Sequence, residues 1–143
     1  MTQAYDSNSV AETEAAAAEL AGTLRGGECV ALHGDLGAGK TQFVRGIVRG
    51  LDGNPQTVSS PTFVLLNVYD SGRLIVFHLD AYRVHGPEDF ESIGFTELLD
   101  QGGGVVVVEW AERVESLLPA RRVNVRITTI DREARQIAIK SVT

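Results

Sequence analysis

The chain has 143 residues, the usual size of one domain, with 43% hydrophobic and 22% charged residues, values that exclude a fibrous or disordered protein. Its formal net charge of -6 argues against a protein that grips RNA or DNA through phosphate contacts of its own, because such a protein needs a basic face.

The apolar runs are short throughout the sequence. No run is longer than residues 105 to 108, far below the roughly 20 residues that span a bilayer, and the N-terminus lacks the basic-then-apolar pattern of a signal peptide. We therefore expect a cytoplasmic protein. The single cysteine, Cys29, has no partner for an internal disulfide, and its apolar neighbours favour an inert thiol in a strand.

The first half of the sequence predicts a helix, a strand and a second helix. The first helix covers residues 10 to 24, with Ser9 placed to cap it and Gly26-Gly27 at its end. The apolar residues 28 to 33 predict a strand, and residues 41 to 50 return to helical spacing. A glycine-rich segment joins this strand to this helix.

The remaining sequence predicts two antiparallel hairpins around one helix and one buried strand. The hairpins join residues 63–69 to 73–80 and residues 122–130 to 135–142. Between them a helix begins at Pro87 and ends at three glycines, and the four valines that follow predict a strand buried on both faces. Because antiparallel hairpins accompany buried α/β strands, the sheet is expected to be mixed.

The glycine-rich segment Gly34-Asp35-Leu36-Gly37-Ala38-Gly39-Lys40-Thr41 matches the phosphate-binding pattern GxxxxGK(S/T). Its glycines let backbone N–H groups close around phosphate oxygens, and the helix that follows adds partial positive charge. Lys40 is placed to reach the terminal phosphates, and the Thr41 hydroxyl is placed to ligate Mg²⁺. All eight residues are therefore predicted to bind nucleotide.

Two carboxylates follow apolar strands, Asp80 and Glu109, and a P-loop enzyme needs such an acid for its metal. Neighbouring strand ends in an α/β sheet face one crevice, so both are expected to serve metal binding and catalysis together. We assign Asp80 to the magnesium side and Glu109 to the metal or the attacking water; the sequence leaves open which one ligates Mg²⁺ directly. Thr62 is predicted to offer a hydroxyl to the γ-phosphate, the alternative being a threonine that only starts a strand.

Two further residues near these acids attract attention. His78 lies in an apolar strand, and since no other His or Cys stands at ligand spacing, we expect a hydrogen-bonded core or near-site residue rather than a metal ligand. Trp110 is expected to pack in the core, with a place beside the nucleotide crevice as the alternative. The sequence contains no guanine-reading NKxD motif, which favours adenine as the base.

Taken together, these motifs resemble the TsaE (YjeE) family of bacterial P-loop ATPases, which take part in the threonylcarbamoyladenosine modification of tRNA. The resemblance covers roughly residues 9 to 140 and rests on GDLGAGKT at 34–41, SPTF at 60–63, HLDAYR at 78–83 and VEW at 108–110. With the elements above, we expect a single-domain α/β P-loop NTPase over residues 9–143, with a mixed central sheet flanked by helices, after an N-terminal leader at residues 1–8.

The resemblance also implies an ATPase that uses ATP and Mg²⁺, weak alone and stimulated by partners. Residues 36 to 41 would hold the phosphates, Thr41 and Glu109 would approach the metal, and Thr62 and Asp80 would line the γ-phosphate side. The family places its N-terminal helix and a C-terminal turn near the base, which implies base contacts from Val10, Thr13 and Arg132.

The implied partners are TsaD and TsaB, with which the family supports modification of adenosine 37 in tRNAs that read codons beginning with A. The chain would meet tRNA only indirectly, through that complex, and no membrane. Two other functions remain open. A small-molecule P-loop kinase needs an arginine-bearing lid, for which residues 82–92 offer only Arg83. A nucleotide-gated binding module would not need hydrolysis at all.

Overall fold

The computed structural model describes residues 2–35, 37–59, 66–101 and 103–142. In these ranges the strands are β1 (Thr2–Ser7), β2 (Cys29–His33), β3 (Leu66–Tyr69), β4 (Val76–Asp80), β5 (Val105–Glu109), β6 (Arg122–Thr129) and β7 (Arg135–Val142). The α-helices are α1 (Val10–Ala21), α2 (Lys40–Gly50), α3 (Pro87–Glu91) and α4 (Phe95–Gln101). Two 3-10 helices cover Pro55–Thr57 and Ala111–Leu117.

All these strands belong to one mixed sheet, in the order β1-β7-β6-β2-β5-β4-β3. The central strands β6, β2, β5 and β4 pair in parallel, whereas β1-β7-β6 at one edge and β4-β3 at the other are antiparallel. The predicted α/β class, the mixed sheet and the C-terminal hairpin are confirmed. The other predicted hairpin is confirmed for its described part, since residues 63–65 lie outside the described ranges.

The predicted leader at residues 1–8 is corrected by the structure. Residues 2 to 7 form β1, which pairs antiparallel with β7 from Thr2 opposite Lys140 to Ser7 opposite Arg135. The Ser7 hydroxyl is buried and lies 2.8 Å from the hydroxyl of Thr13 on α1. This strand is mostly polar because it lies at the exposed edge of the sheet, so its sequence lacks the apolar alternation that predicts a strand.

The single helix predicted from Pro87 to the three glycines is two helices, α3 and α4. Residues 92–94 separate them, and Gly94 adopts the left-handed conformation, with φ 82°, that ends a helix. The break lets Phe90 and Phe95 turn to the same buried cluster, where their ring centroids are 5.2 Å apart. The apolar spacing across 90–99 therefore reflected two short helices that share one core.

The sheet carries a hydrophobic core on each face. On one face α1 and α2 cover Val105 and Val107 of β5; on the other, α3, α4 and the 3-10 helix Ala111–Leu117 cover Val106 and Val108. All four valines are buried, which confirms the strand predicted to be buried on both faces. Within the described ranges, no helix is long and apolar enough to cross a membrane.

Helices α1 and α2 pack unusually closely because glycines of α2 face α1. A Cβ atom added at Gly46 would lie 2.3 Å from the carbonyl oxygen of Glu14 and 2.6 Å from the Cβ of Ala17. One added at Gly50 would lie 2.7 Å from the carbonyl oxygen of Ala18. These distances are too short for any side chain, so the position of α2 against α1 depends on the absence of Cβ atoms.

We therefore expect Gly46→Ala to destabilise the protein by about 1–3 kcal/mol despite the better helix propensity of alanine, because the new methyl group forces α1 and α2 apart. Urea unfolding measures the change. The matched control is Gly22→Ala at the end of α1, where the nearest atom to an added Cβ is 3.4 Å away and the backbone is right-handed helical. Equal stability of the two variants would contradict the proposed close packing.

Candidate functional site

The glycine-rich loop lies between the end of β2 and the start of α2, at the carboxyl end of the parallel strands. Gly37 and Gly39 have φ values of 78° and 105°, which other residues rarely adopt. A Cβ atom at Gly34 would lie 2.7 Å from the carbonyl oxygen of Ile127. The N-cap of α2 is Gly39, which makes no side-chain hydrogen bond to the helix, so backbone N–H groups of the first turn point into the loop.

Lys40 is the buried cation of this loop. Its ammonium group donates hydrogen bonds to the carbonyl oxygens of Gly34 and, at 3.2 Å, Asp35, and it lies 4.0 Å from the ring centroid of Trp110. Burial lowers the pKa of Lys40, and nearby carboxylates, with Glu109 the strongest, act in the opposite direction. The remaining carboxylates are those of Glu112, Asp80 and Asp35. Negative charge therefore surrounds this one ammonium group.

Asp80 and Glu109 lie side by side, as predicted. They are register partners at the ends of β4 and β5, and Glu109 is also opposite Leu32 of β2, just before the glycine-rich loop. Glu109 is buried, whereas Asp80 is half-buried and accepts a hydrogen bond of 2.8 Å from the backbone N–H of Tyr82. Burial, with Glu109 adding to it, raises the pKa of Asp80. The parallel register thus brings both acids to the same edge as Lys40.

His78 is fully buried and contacts Glu109 directly. Its Nε2 atom lies 2.5 Å from Oε2 of Glu109, and its Nδ1 atom lies 2.9 Å from the hydroxyl of Tyr69. The prediction of a hydrogen-bonded residue near the site is confirmed. Across the described ranges, no three His, Cys, Asp or Glu side chains form a cluster that could hold a metal by themselves.

Trp110 was expected in the core, and this expectation is only partly correct. Its side chain packs against the core on the α3 face, but its ring also faces Lys40. The ring contacts that of Tyr82 as well, with centroids 4.9 Å apart and ring planes tilted by 43°. Its φ of 56° turns the chain sharply from β5 into the 3-10 helix Ala111–Leu117. No local pattern indicated this turn, and sequence reasoning also missed Tyr82, Arg113 and Glu112 in the same cluster.

A cavity of about 260 Å³ opens beside the loop and brings together the three predicted base contacts, Val10, Thr13 and Arg132. The same cavity is lined by Gly37, Ala38 and Gly39 and by residues that sequence reasoning did not assign, namely Ser9, Gln42, Glu133 and Arg135. The N-terminal helix and the β6–β7 turn meet here only because β7 lies next to β6 and β1 at the sheet edge. Leu36 and Thr62 lie outside the described residues.

Arg135 joins the β6–β7 turn to the glycine-rich loop. Its Nε donates to the carbonyl oxygen of Ala38 at 3.0 Å, and its Nη2 donates to that of Gly37 at 3.3 Å. Its Nη1 donates to the carbonyl oxygen of Asp131 within the turn at 2.9 Å. Arg135 lies 97 residues from Ala38 and 98 residues from Gly37 in the chain, so no local pattern could have predicted its contacts with the loop.

Comparison with known proteins gives a consistent result. Residues 7–137 match the family model for the "Threonylcarbamoyl adenosine biosynthesis protein TsaE". The TsaE protein of Treponema pallidum is 45% identical over 116 residues, which are 81% of this chain and 84% of that protein. The TsaE protein of Bacillus subtilis is 38% identical over 131 residues, which are 92% of this chain and 80% of that protein.

The fold is also similar to a solved structure. The crystal structure of Bacillus subtilis YdiB aligns with a TM-score of 0.80 at 30% sequence identity, over 100% of this chain and 87% of that one. Sequence and fold comparisons therefore agree over nearly the whole chain.

Asp80 yields a prediction about pH and stability. Its raised pKa means that the folded state favours the protonated carboxyl more than the unfolded chain does, so ionisation at neutral pH lowers stability. This cost disappears as the pH falls through the raised pKa towards the ordinary value of 3.8. We expect Asp80→Asn to stabilise the nucleotide-free protein at neutral pH, with a gain that shrinks towards about pH 4.

Urea unfolding at several pH values measures this gain. The matched control is Asp131→Asn, because Asp131 also accepts a backbone hydrogen bond, from Arg132 at 2.7 Å, but lies exposed in the β6–β7 turn. A loss of stability in Asp80→Asn at neutral pH would show that the carboxylate stabilises the apo site, contrary to this expectation.

Proposed function

Because this chain belongs to the TsaE family of threonylcarbamoyl adenosine biosynthesis proteins, we propose that it binds ATP with Mg²⁺ and hydrolyses it in support of that tRNA modification. One observation carries the proposal: the glycine-rich loop places Lys40 at the same sheet edge as the adjacent carboxylates of Asp80 and Glu109. This arrangement combines a phosphate cradle with the acids that a metal-dependent phosphoryl transfer requires.

The residues of the loop fit the phosphates of a nucleoside triphosphate. Backbone N–H groups at the N-terminus of α2 supply donors and partial positive charge, and Gly37 and Gly39 permit the curvature of the loop. The adjoining cavity, lined by Val10, Thr13 and Arg132, offers an apolar surface and polar groups beside the loop. We assign the phosphates to residues 34–41 and the adenine base to this cavity.

The acids of the site fit a magnesium ion that is shared with the nucleotide. Mg²⁺ usually takes one or two carboxylates together with phosphate oxygens and water, so it does not need a cluster of three protein acids. Thr41, in the first turn of α2, and Asp80 or Glu109 would hold it. Bound there, the ion would neutralise developing charge on the phosphates.

The protein groups have distinct proposed roles in hydrolysis. Lys40 binds the terminal phosphates, whose negative charge favours its ammonium form against the effect of burial. Glu109 would either hold the metal or orient the attacking water, and Asp80 would serve the magnesium side of the site. Thr62 is proposed to offer its hydroxyl on that same side.

The proposed partners are TsaD and TsaB, and tRNA enters only through them. The net charge of -6 supports recruitment by protein rather than a direct grip on nucleic acid. In this proposal ATP turnover by the chain alone is slow, and the partner complex accelerates it during repeated cycles of adenosine 37 modification.

The test is ATP binding and Mg²⁺-dependent hydrolysis by the purified chain, alone and with TsaD, TsaB and tRNA. Lys40→Ala should weaken ATP binding by about tenfold or more because it removes a charge-assisted contact to phosphate. Glu109→Gln should keep ATP binding and lower turnover by about a hundredfold. Lys140→Ala is the matched control, because Lys140 is the other lysine of the sequence and lies exposed on β7.

Each outcome has a defined meaning. Unchanged ATP affinity in Lys40→Ala would contradict the phosphate cradle. Full support of the modification by Glu109→Gln, with no hydrolysis, would favour a nucleotide-gated binding module. Consumption of a small-molecule acceptor with the γ-phosphate would favour a kinase.

The contact of Arg135 with the loop gives a separate prediction. We expect Arg135→Met to weaken ATP binding by about tenfold, because two hydrogen bonds that hold the carbonyl groups of Gly37 and Ala38 are lost while the hydrophobic stem is kept. Isothermal titration measures the affinity. Arg25→Met serves as control, since Arg25 is exposed in the turn after α1, beyond the amino end of β2. An equal affinity in both variants would show that the loop keeps its shape without this arginine.

A further inference from the structure

A row of polar side chains crosses the otherwise apolar sheet face beneath α1 and α2. The row consists of Tyr69 on β3, His78 on β4 and Glu109 on β5. Tyr69 belongs to the core on this face. His78 and Glu109 each lie an even number of residues from a core member of their own strand, so their side chains point to the same face. The register makes them diagonal neighbours, with His78 opposite Asn67 of β3 and Val107 of β5. Buried polar groups in such a position need partners, and these three supply them to one another.

The contacts form a continuous chain from Glu109 to a backbone loop. Nε2 of His78 lies 2.5 Å from Oε2 of Glu109, and Nδ1 lies 2.9 Å from the Tyr69 hydroxyl. That hydroxyl also lies 3.1 Å from the carbonyl oxygen and 3.4 Å from the backbone nitrogen of Ser59. His78 and Glu109 are almost completely buried, so water does not compete for these contacts.

Counting the hydrogens shows what the tyrosine does for the histidine. A neutral imidazole carries one N–H, and the carboxylate of Glu109 accepts a hydrogen bond from the ring when that hydrogen is on Nε2. Nδ1 must then accept a hydrogen bond, and the Tyr69 hydroxyl at 2.9 Å is its donor. Because a hydroxyl has only one hydrogen, this assignment takes it from the carbonyl oxygen of Ser59 at 3.1 Å and leaves the hydroxyl oxygen to accept from the Ser59 N–H at 3.4 Å. The hydroxyl of Tyr69 keeps its proton at neutral pH, since burial raises the pKa of this tyrosine.

The far end of the chain is also held in place. Ser59 follows the 3-10 helix Pro55–Thr57, and the carbonyl oxygen of its neighbour Val58 accepts hydrogen bonds from Nε and Nη2 of Arg45 at 3.4 and 3.3 Å. Arg45 belongs to α2, the helix that starts at the glycine-rich loop. The backbone to which Tyr69 is anchored is therefore tied to the same helix that carries the phosphate site.

From this geometry we propose that His78 is a positioning residue for Glu109: it binds Oε2 through Nε2–H, while Tyr69, anchored on Ser59, fixes its tautomer and ring orientation. Oε1 of Glu109 is then the oxygen left to meet a metal or a water at the site. The inference rests on the proposed function for its catalytic consequence, but the contact chain itself belongs to the protein without nucleotide.

The test uses amides that match one ring nitrogen each. The amide nitrogen of glutamine stands as far from Cβ as Nε2 of histidine, whereas that of asparagine matches Nδ1. We expect His78→Gln to keep hydrolysis within about threefold of wild type, and His78→Asn and Tyr69→Phe to lower it by about 10–100-fold. ATP affinity should change by less than about threefold in all three variants, because none of these side chains is placed to bind ATP.

Hydrolysis is measured in single turnovers with protein in excess, so that slow basal activity suffices, and unfolding curves accompany each variant. His85→Gln is the matched control, since His85 is exposed between β4 and α3. A purely structural role would make His78→Gln and His78→Asn lose activity in parallel with stability. That result, or wild-type hydrolysis in His78→Asn and Tyr69→Phe, would overturn the proposal.

A spectroscopic measurement tests the contact chain without ATP. The sequence has three histidines, so nitrogen NMR of the imidazole rings can resolve each one. We expect Nε2 of His78 to carry a proton in the wild type and its tautomer to become mixed in Tyr69→Phe, with His33 and His85 unchanged. An unprotonated Nε2 in the wild type would overturn the proposal. A wild type that has this tautomer but neither binds nor hydrolyses ATP would contradict the proposed function alone.

Discussion

The site depends on the parallel pairing of four central strands that end at one edge of the sheet. Hydrogen bonding of β2 to β5 and β6, and of β5 to β4, puts Asp80 and Glu109 next to each other and next to the start of the glycine-rich loop. No other element orients these groups as directly. A shift of one residue in the β4–β5 register would move Asp80 away from Glu109 and turn His78 to the opposite face.

Charged side chains at these strand ends are destabilised by burial. Burial lowers the pKa of Lys40 and raises that of Asp80, so in each case the charged form is opposed by the protein around it. Such groups are stabilised when a partner of opposite charge arrives, which here would be phosphate for Lys40 and a metal ion for Asp80. The charged forms of these groups lower the stability of the protein without ligand, but the groups are already oriented for a charged partner.

The two antiparallel edges of the sheet act on the parallel centre from opposite sides. At one edge, the β6–β7 turn reaches the glycine-rich loop through Arg135 and completes the cavity with α1. At the other, β3 reaches Glu109 through Tyr69 and His78. The mixed sheet therefore places one supporting contact beside the glycine-rich loop and another behind Glu109, both made by side chains far from the loop in sequence.

The sequence by itself determined the elements with strong local patterns and the position of the glycine-rich motif between a strand and a helix. The glycine spacing around Lys40, the buried valines of β5 and the hairpin β6–β7 follow from local sterics and hydrophobic periodicity, so they were predictable. Sequence reasoning did not predict strand β1, the break before α4 or the turn at Trp110. β1 is a polar edge strand, and Gly94 and Trp110 adopt left-handed backbone conformations, so all three depend on residues distant in the chain. Only the tertiary structure joined Arg135 to the loop and His78 to Glu109, because strand order and register, which no local pattern encodes, decide which side chains meet.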